Sequence, residues 1–213
     1  MADLTFRGFR TRLSRPARWR RSLPVLLCLL LAACQRAPAG HWQLNDISGH
    51  MPDLQFALTS DENKPVTAAD FKGLTTLLYF GYTHCPDVCP LTMAHLHVVL
   101  QKLGPLARNV RILFVSVDPA RDTPEQLHDY VRAFDSHALG LTGSPAAIEA
   151  LSKRYRAAYS RDPSAADGNY EVAHSSGIYV FDPQGRARLL ATPADSENAL
   201  VHDLTALIQS QEH

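Results

Sequence analysis

Residues 75–103 read TTLLYFGYTHCPDVCPLTMAHLHVVLQKL, and the change of period along this stretch fixes the class of fold. The first part, TTLLYFGY (75–82), is a nearly continuous apolar and β-forming run, as a strand buried on both faces requires. The last part places Leu91, Ala94, Leu96, Val98, Val99 and Leu103 behind Pro90, which predicts a helix over 90–103 with proline where a helix start tolerates it. Between them lies Cys85-Pro86-Asp87-Val88-Cys89-Pro90. Both thiols therefore leave the C-terminal end of a buried strand, the edge at which α/β sheets carry their functional groups.

Working outward, VRILFVSV (110–117) predicts a second buried strand. Thr123-Pro124-Glu125 opens a helix to about residue 134, residues 138–142 form a short strand, and Ser144-Pro145 opens a helix to about residue 159. Upstream, a strand over 54–59 turns at 61–64 into a short return at 65–66, and the folded domain begins near Pro52. Downstream, strands over 177–181 and 187–191 flank Asp182-Pro183-Gln184-Gly185, which has explicit turn chemistry. A final helix over 195–210 shows the apolar face Leu200, Leu204, Leu207 and Ile208. Strands alternating with helices, closed by a hairpin and a helix, predict an α/β sandwich with a mixed sheet.

The chain has 213 residues with 46% hydrophobic and 20% charged, the profile of one ordinary domain. Its 21 basic and 21 acidic residues are unevenly placed, because seven arginines and a single acid, Asp3, precede Cys34. From Cys34 onward 14 basic face 20 acidic residues, and a nucleic-acid partner is excluded for want of a basic face. The arginine-rich start leads into LPVLLCLLLAA (23–33), about 11 apolar residues against the roughly 20 of a spanning helix, so it reads as a secretory signal. Leu31-Ala32-Ala33-Cys34 resembles the bacterial lipobox, whose cysteine is acylated after cleavage; a plain signal peptide or an uncleaved anchor is the alternative. The expected organisation is a signal over 1–33, a tether over 34–51 and a domain over 52–213. Lipid on Cys34 would hold that domain at the periplasmic side of a bacterial envelope.

Of four cysteines, Cys28 goes with the signal and Cys34 to the lipid, leaving Cys85 and Cys89. In an oxidising compartment such a pair would ordinarily be a structural disulfide. A bridge closing so few residues constrains the unfolded chain little, which points to chemistry instead. The amides of a helix N-terminus are expected to stabilise a thiolate there, and a helix-like loop would put i and i+4 on one face. Two convergent thiolates make either a reducible disulfide or a soft-metal pocket. Structural zinc wants four protein ligands and an iron–sulfur cluster wants more cysteines, whereas Cu(I) accepts two or three soft donors. Among ten histidines, His84 reads as packing or support beside the site, and His95 and His97 as ordinary helix residues on different faces. His174 differs, since it closes the loop over 170–173 and precedes the strand at 177.

The segment from Tyr79 to Pro90, followed by Ser116-Val117-Asp118-Pro119-Ala120-Arg121-Asp122-Thr123-Pro124 and then His174, resembles the Sco/SenC family of copper-binding cytochrome oxidase assembly proteins. The likeness covers roughly residues 54–208. It implies a thioredoxin-like fold with an N-terminal β-hairpin extension and an insertion ahead of the histidine loop. It also implies copper, as Cu(I) or Cu(II), held by Cys85, Cys89 and His174 and delivered to the dinuclear copper centre of cytochrome c oxidase. Family members often carry aspartate before this histidine, where this chain has Ala173, a change that bears on ligand support rather than on the ligands.

The expected partners are the oxidase's copper-bearing subunit or another periplasmic cuproprotein, a copper donor, and the membrane through the lipid. Asp118, in a turn at the same sheet edge as Cys85, is a candidate carboxylate beside the site. Asp122 reads as a polar residue ahead of a helix, and Asp87 as a solvated acid at a helix start. A thiol-disulfide oxidoreductase using Cys85 and Cys89 is the rival to a non-enzymatic metallochaperone, and it has no need of His174.

Overall fold

The computed structural model describes residues 42–161, 172–174 and 176–210. Strands β1 (Asn45–Asp46), β2 (Ala57–Ser60), β3 (Pro65–Thr67) and β4 (Thr75–Gly81) precede helix α1 (Val88–Leu103). There follow β5 (Val110–Ser116), α2 (Pro124–Phe134), β6 (Ala138–Thr142), α3 (Pro145–Arg154), β7 (Tyr159–Arg161), β8 (Val172–His174), β9 (Ile178–Phe181), β10 (Ala187–Ala191) and α4 (Glu197–Gln209). Eight strands form one sheet in the order β1-β10-β9-β4-β5-β6-β2-β3, and β7 pairs with β8 apart from it.

The centre of the sheet is β4, parallel to β5, with β5 parallel to β6 and β9 antiparallel on the other side of β4. Successive side chains of a strand point to opposite faces. Every residue of β4 is nonetheless buried, so both faces are covered, and the uninterrupted apolar run in the sequence is explained. The mixed sheet flanked by helices is thioredoxin-like, and β2 with β3 forms the hairpin that extends it ahead of β4.

Most of the expected elements stand, with three differences of physical interest. Helix α1 starts at Val88, two residues earlier than expected, because Pro90 fits inside a first turn as well as at its opening. Helix α3 stops at Arg154 rather than near residue 159, since Arg156 takes a positive φ of 55° and the chain leaves for β7. The stretch expected to be tether belongs, from Trp42 to Met51, to the folded domain. Its strand β1 pairs with β10, Leu44 is buried, and Asp203 of α4 accepts the backbone N–H groups of Gln43 and Leu44 at 2.9 Å each. The signal over 1–33 and the rest of the tether, with Cys28 and Cys34, lie outside the described residues. Among the described residues no helix is long and apolar enough to cross a membrane.

Candidate metal centre

The site begins where β4 ends. Gly81 accepts the N–H of Val117 at 2.8 Å, which ties the end of β4 to the end of β5. The chain then turns, with the Cys85 N–H donating to the Tyr82 carbonyl, and enters α1 at Asp87. Asp87 occupies the N-cap position but makes no side-chain cap, in keeping with the solvated acid expected there. Cys85 stands nearer to that role, since its sulfur accepts the N–H of Cys89 at 3.5 Å. One of the helix's unsatisfied amides thus faces Cys85.

This geometry divides the two thiols, which are not joined in a disulfide. Cys85 is half-buried in the loop, whereas Cys89 is fully buried inside the first turn of α1. Burial pushes the Cys89 thiol up to about 12, against the hydrogen bonds that its sulfur receives from the Tyr82 backbone and from the Tyr79 hydroxyl, which donates at 3.6 Å. The expectation that the helix N-terminus would stabilise a thiolate is therefore corrected for Cys89, because desolvation outweighs the amides there. Burial likewise raises Tyr79 and Tyr130, and the hydroxyl of Tyr130 is buried without a hydrogen-bond partner among the described residues. Gly81 completes the wall, since a Cβ added there would lie 2.8 Å from the Phe114 ring and 3.0 Å from Cys89 Sγ.

The turn after β5 holds the cysteine loop from outside. Asp122 is buried, and its Oδ2 accepts the Thr83 N–H at 3.0 Å and the Ser116 hydroxyl at 2.6 Å, while its Oδ1 accepts the Thr83 hydroxyl at 2.6 Å. The capping role falls to Thr123, which forms a capping box with Gln126, so Asp122 braces the loop instead of the helix. The sequence carried one signal for this: a second acid beside a cap already supplied by threonine. Asp118 is buried and paired with Arg121, whose guanidinium lies 5.8 Å from the centre of the Tyr82 ring. Asp118 reaches the cysteine loop through Arg121 and Tyr82, and through its N–H on Ser116 Oγ, which donates to Asp122.

His174 ends β8, with its backbone in register with Tyr159 of β7. Four residues on, Ile178 begins β9 opposite Tyr79, close to the end of β4. The chain from His174 thus enters the sheet at the edge where the cysteine loop leaves it. The side chains of residues 161–175 lie outside the described ones, and so does the insertion expected ahead of His174. Among the described side chains no group of three His, Cys, Asp or Glu could hold a metal ion. His97 and His137 each meet Asp135 at 2.7 Å, and His202 meets Asp203, so these histidines are engaged elsewhere.

A thioredoxin-like sheet with two unlinked thiols at a strand-to-helix turn defines a class of domain that either exchanges disulfides or holds a soft metal. The profile of the SCO1/SenC family matches residues 48–209, and the chain belongs to that family. The mitochondrial SCO1 homolog 1 of Arabidopsis thaliana is 40% identical over 130 residues, 61% of this chain and 39% of that protein. The chain spans about half the length of the curated relatives it matches, or less, from 39% to 52% of those compared. Among solved structures, Bradyrhizobium japonicum ScoI with copper bound is 38% identical with a TM-score of 0.67, covering 73% of this chain and 98% of the other. A SCO1/SenC family lipoprotein from Bacillus anthracis is 25% identical with a TM-score of 0.65, covering 73% and 94%.

Proposed function

We propose that this chain binds copper through the thiolates of Cys85 and Cys89 and the imidazole of His174, and delivers it during assembly of cytochrome c oxidase. The observation that carries the reading is the meeting of two unlinked thiols, with the Cys89 amide on the Cys85 sulfur, at the edge from which His174 leads into β9. Family membership and a relative with copper bound support it. Two thiolates and one imidazole form a soft set suited to Cu(I), and an open coordination sphere permits handover by ligand exchange. The thiols must lose their protons on binding, so copper uptake releases protons and weakens as pH falls.

The acceptor on this reading is the copper-bearing subunit of the oxidase or another periplasmic cuproprotein, and a separate donor supplies the metal. Acylated Cys34 would tether the domain on the periplasmic side of a bacterial membrane. That part rests on Leu31-Ala32-Ala33-Cys34 and on the kinship with a bacterial lipoprotein, while the curated relative described above is mitochondrial.

A second reading, thiol-disulfide exchange, is favoured by the asymmetry of the pair. A half-exposed Cys85 facing a helix amide suits an attacking thiol, and a buried Cys89 suits a resolving one. Anaerobic Cu(I) titration of the reduced protein against a competing chelator separates the two, comparing wild type with His174→Ala. The copper reading expects tight one-to-one binding that weakens by more than about tenfold in the variant, a loss that even an outer-shell partner can cause. Binding indifferent to His174 would remove the three-donor site and leave disulfide exchange as the function.

A further inference from the structure

Cys89 is fully buried, so an incoming copper ion cannot meet it first. The residue immediately before Cys85 is His84, whose side chain is 48% exposed. Behind it the carboxylate of Asp122 is wholly buried. Thr83 Oγ1 lies 3.0 Å from His84 Nδ1 and 2.6 Å from Asp122 Oδ1, and Nδ1 itself is 3.6 Å from that oxygen.

These contacts allow the protons to be assigned from the hydrogen-bond network. A carboxylate only accepts, and threonine has a single hydroxyl proton. That proton goes to Asp122 across the 2.6 Å contact, leaving Thr83 Oγ1 as an acceptor toward His84. The neutral ring therefore carries its proton on Nδ1. The other side of Asp122 is filled consistently: the Thr83 N–H and the Ser116 hydroxyl donate to Oδ2, and Ser116 Oγ in turn accepts the Asp118 N–H. Among the described residues His84 Nε2 has no partner, and its lone pair sits on a ring whose other nitrogen meets Thr83, itself anchored on the buried Asp122. Proteins orient metal-binding histidines by this arrangement of carboxylate, hydrogen bond and imidazole.

We propose that His84 Nε2 is a rim ligand for copper in transit, binding Cu(I) before the resident donors close on it and holding it last on departure. The inference rests on the copper-binding reading above and adds a donor to it. Copper stays Cu(I) throughout. As the bond to the delivering thiolate breaks, its electron pair remains on that sulfur, and the Nε2 lone pair forms the new bond. No proton moves in that step, because Nε2 carries none. Cys85 then displaces the imidazole, and its thiol proton, where present, passes to water.

The test uses the reduced full-length protein in detergent, mixed anaerobically by stopped flow with the coloured bicinchoninate complex of Cu(I). Wild type, His84→Ala and Thr83→Val are compared for rate, and for affinity in an equilibrium competition with the same chelator. The expected result is a rate about tenfold lower in His84→Ala with a much smaller loss of affinity, and an intermediate rate in Thr83→Val, where Nε2 remains but its orientation is lost. A rate unchanged in His84→Ala overturns the proposal. So does a loss of rate matched by an equal loss of affinity, which would make His84 a resident or structural group. Failure of wild type to bind Cu(I) at equilibrium removes the copper reading and this inference together, whereas normal binding at a rate indifferent to His84 removes the inference alone.

Discussion

Cys85 and Cys89 stand four positions apart, each followed by a proline, yet their surroundings oppose each other. The Cys89 sulfur is enclosed by Gly81, the Tyr79 hydroxyl and the first turn of α1, and burial raises its pKa to about 12. Near neutral pH it therefore stays protonated, disfavoured as a thiolate by its burial. For the copper-free protein we expect iodoacetamide to modify Cys85 well before Cys89, read by mass spectrometry of the digested protein. The sign of the pH effect follows from the raised value. The buried, neutral thiol favours folding below the ordinary thiol pKa of 9.0, and that contribution is lost as pH rises through about 12. Labelling of Cys89 should therefore increase only in that alkaline range, and labelling of both cysteines at equal rates near neutrality would show that the asymmetry is wrong. The sequence made both thiols legible as a reactive pair. It could not divide them, because the division depends on where α1 starts, and Pro90 is compatible with either position.

Among the elements, the end of β4 and the turn after β5 act as the two sides of a clamp on the cysteine loop. Gly81 is required by close approach rather than by its backbone angles, since a Cβ would meet the buried Phe114 ring at 2.8 Å and Cys89 Sγ at 3.0 Å. Neither neighbour is a flexible chain end. Gly81→Ala should cost about 1–3 kcal/mol through overpacking, measured as a lowered midpoint in urea unfolding, and a midpoint equal to wild type would contradict the packing described. The strands and caps of this region were readable: the apolar runs of β4 and β5, and Thr123 ahead of Pro124. Asp122 was legible only as a second acid beside a cap, because its partners Thr83 and Ser116 lie on other elements and a sequence shows only its neighbour, the helix. The β7 and β8 pair was missed as well. Each is three residues long, and YSR and VAH show no strand period strong enough to read.

At the scale of the whole molecule, the sheet order explains why segments remote in the chain come to one edge. Parallel β4 and β5 end at the same edge, so the cysteine loop and the Asp118–Asp122 turn emerge side by side. Antiparallel β9 begins at that edge, which brings in the chain from His174. The alternation of strands and helices foretold a mixed sheet, but not the eighth strand. Asn45 and Asp46 pair with β10 because Asp203, a buried acid on α4, accepts the amides of Gln43 and Leu44. No local period announces such an anchor, so a stretch rich in polar and small residues read as tether. The role proposed for His174 comes from the likeness to the Sco/SenC family, and family membership rests on a match over residues 48–209. The central claim is that Cys85, Cys89 and His174 together hold copper. X-ray absorption spectroscopy of the Cu(I)-loaded full-length protein tests it most directly. The account predicts two sulfur donors and one nitrogen donor in wild type, with the nitrogen lost in His174→Ala. A spectrum with sulfur donors alone in wild type, or a nitrogen donor that persists without His174, would contradict it.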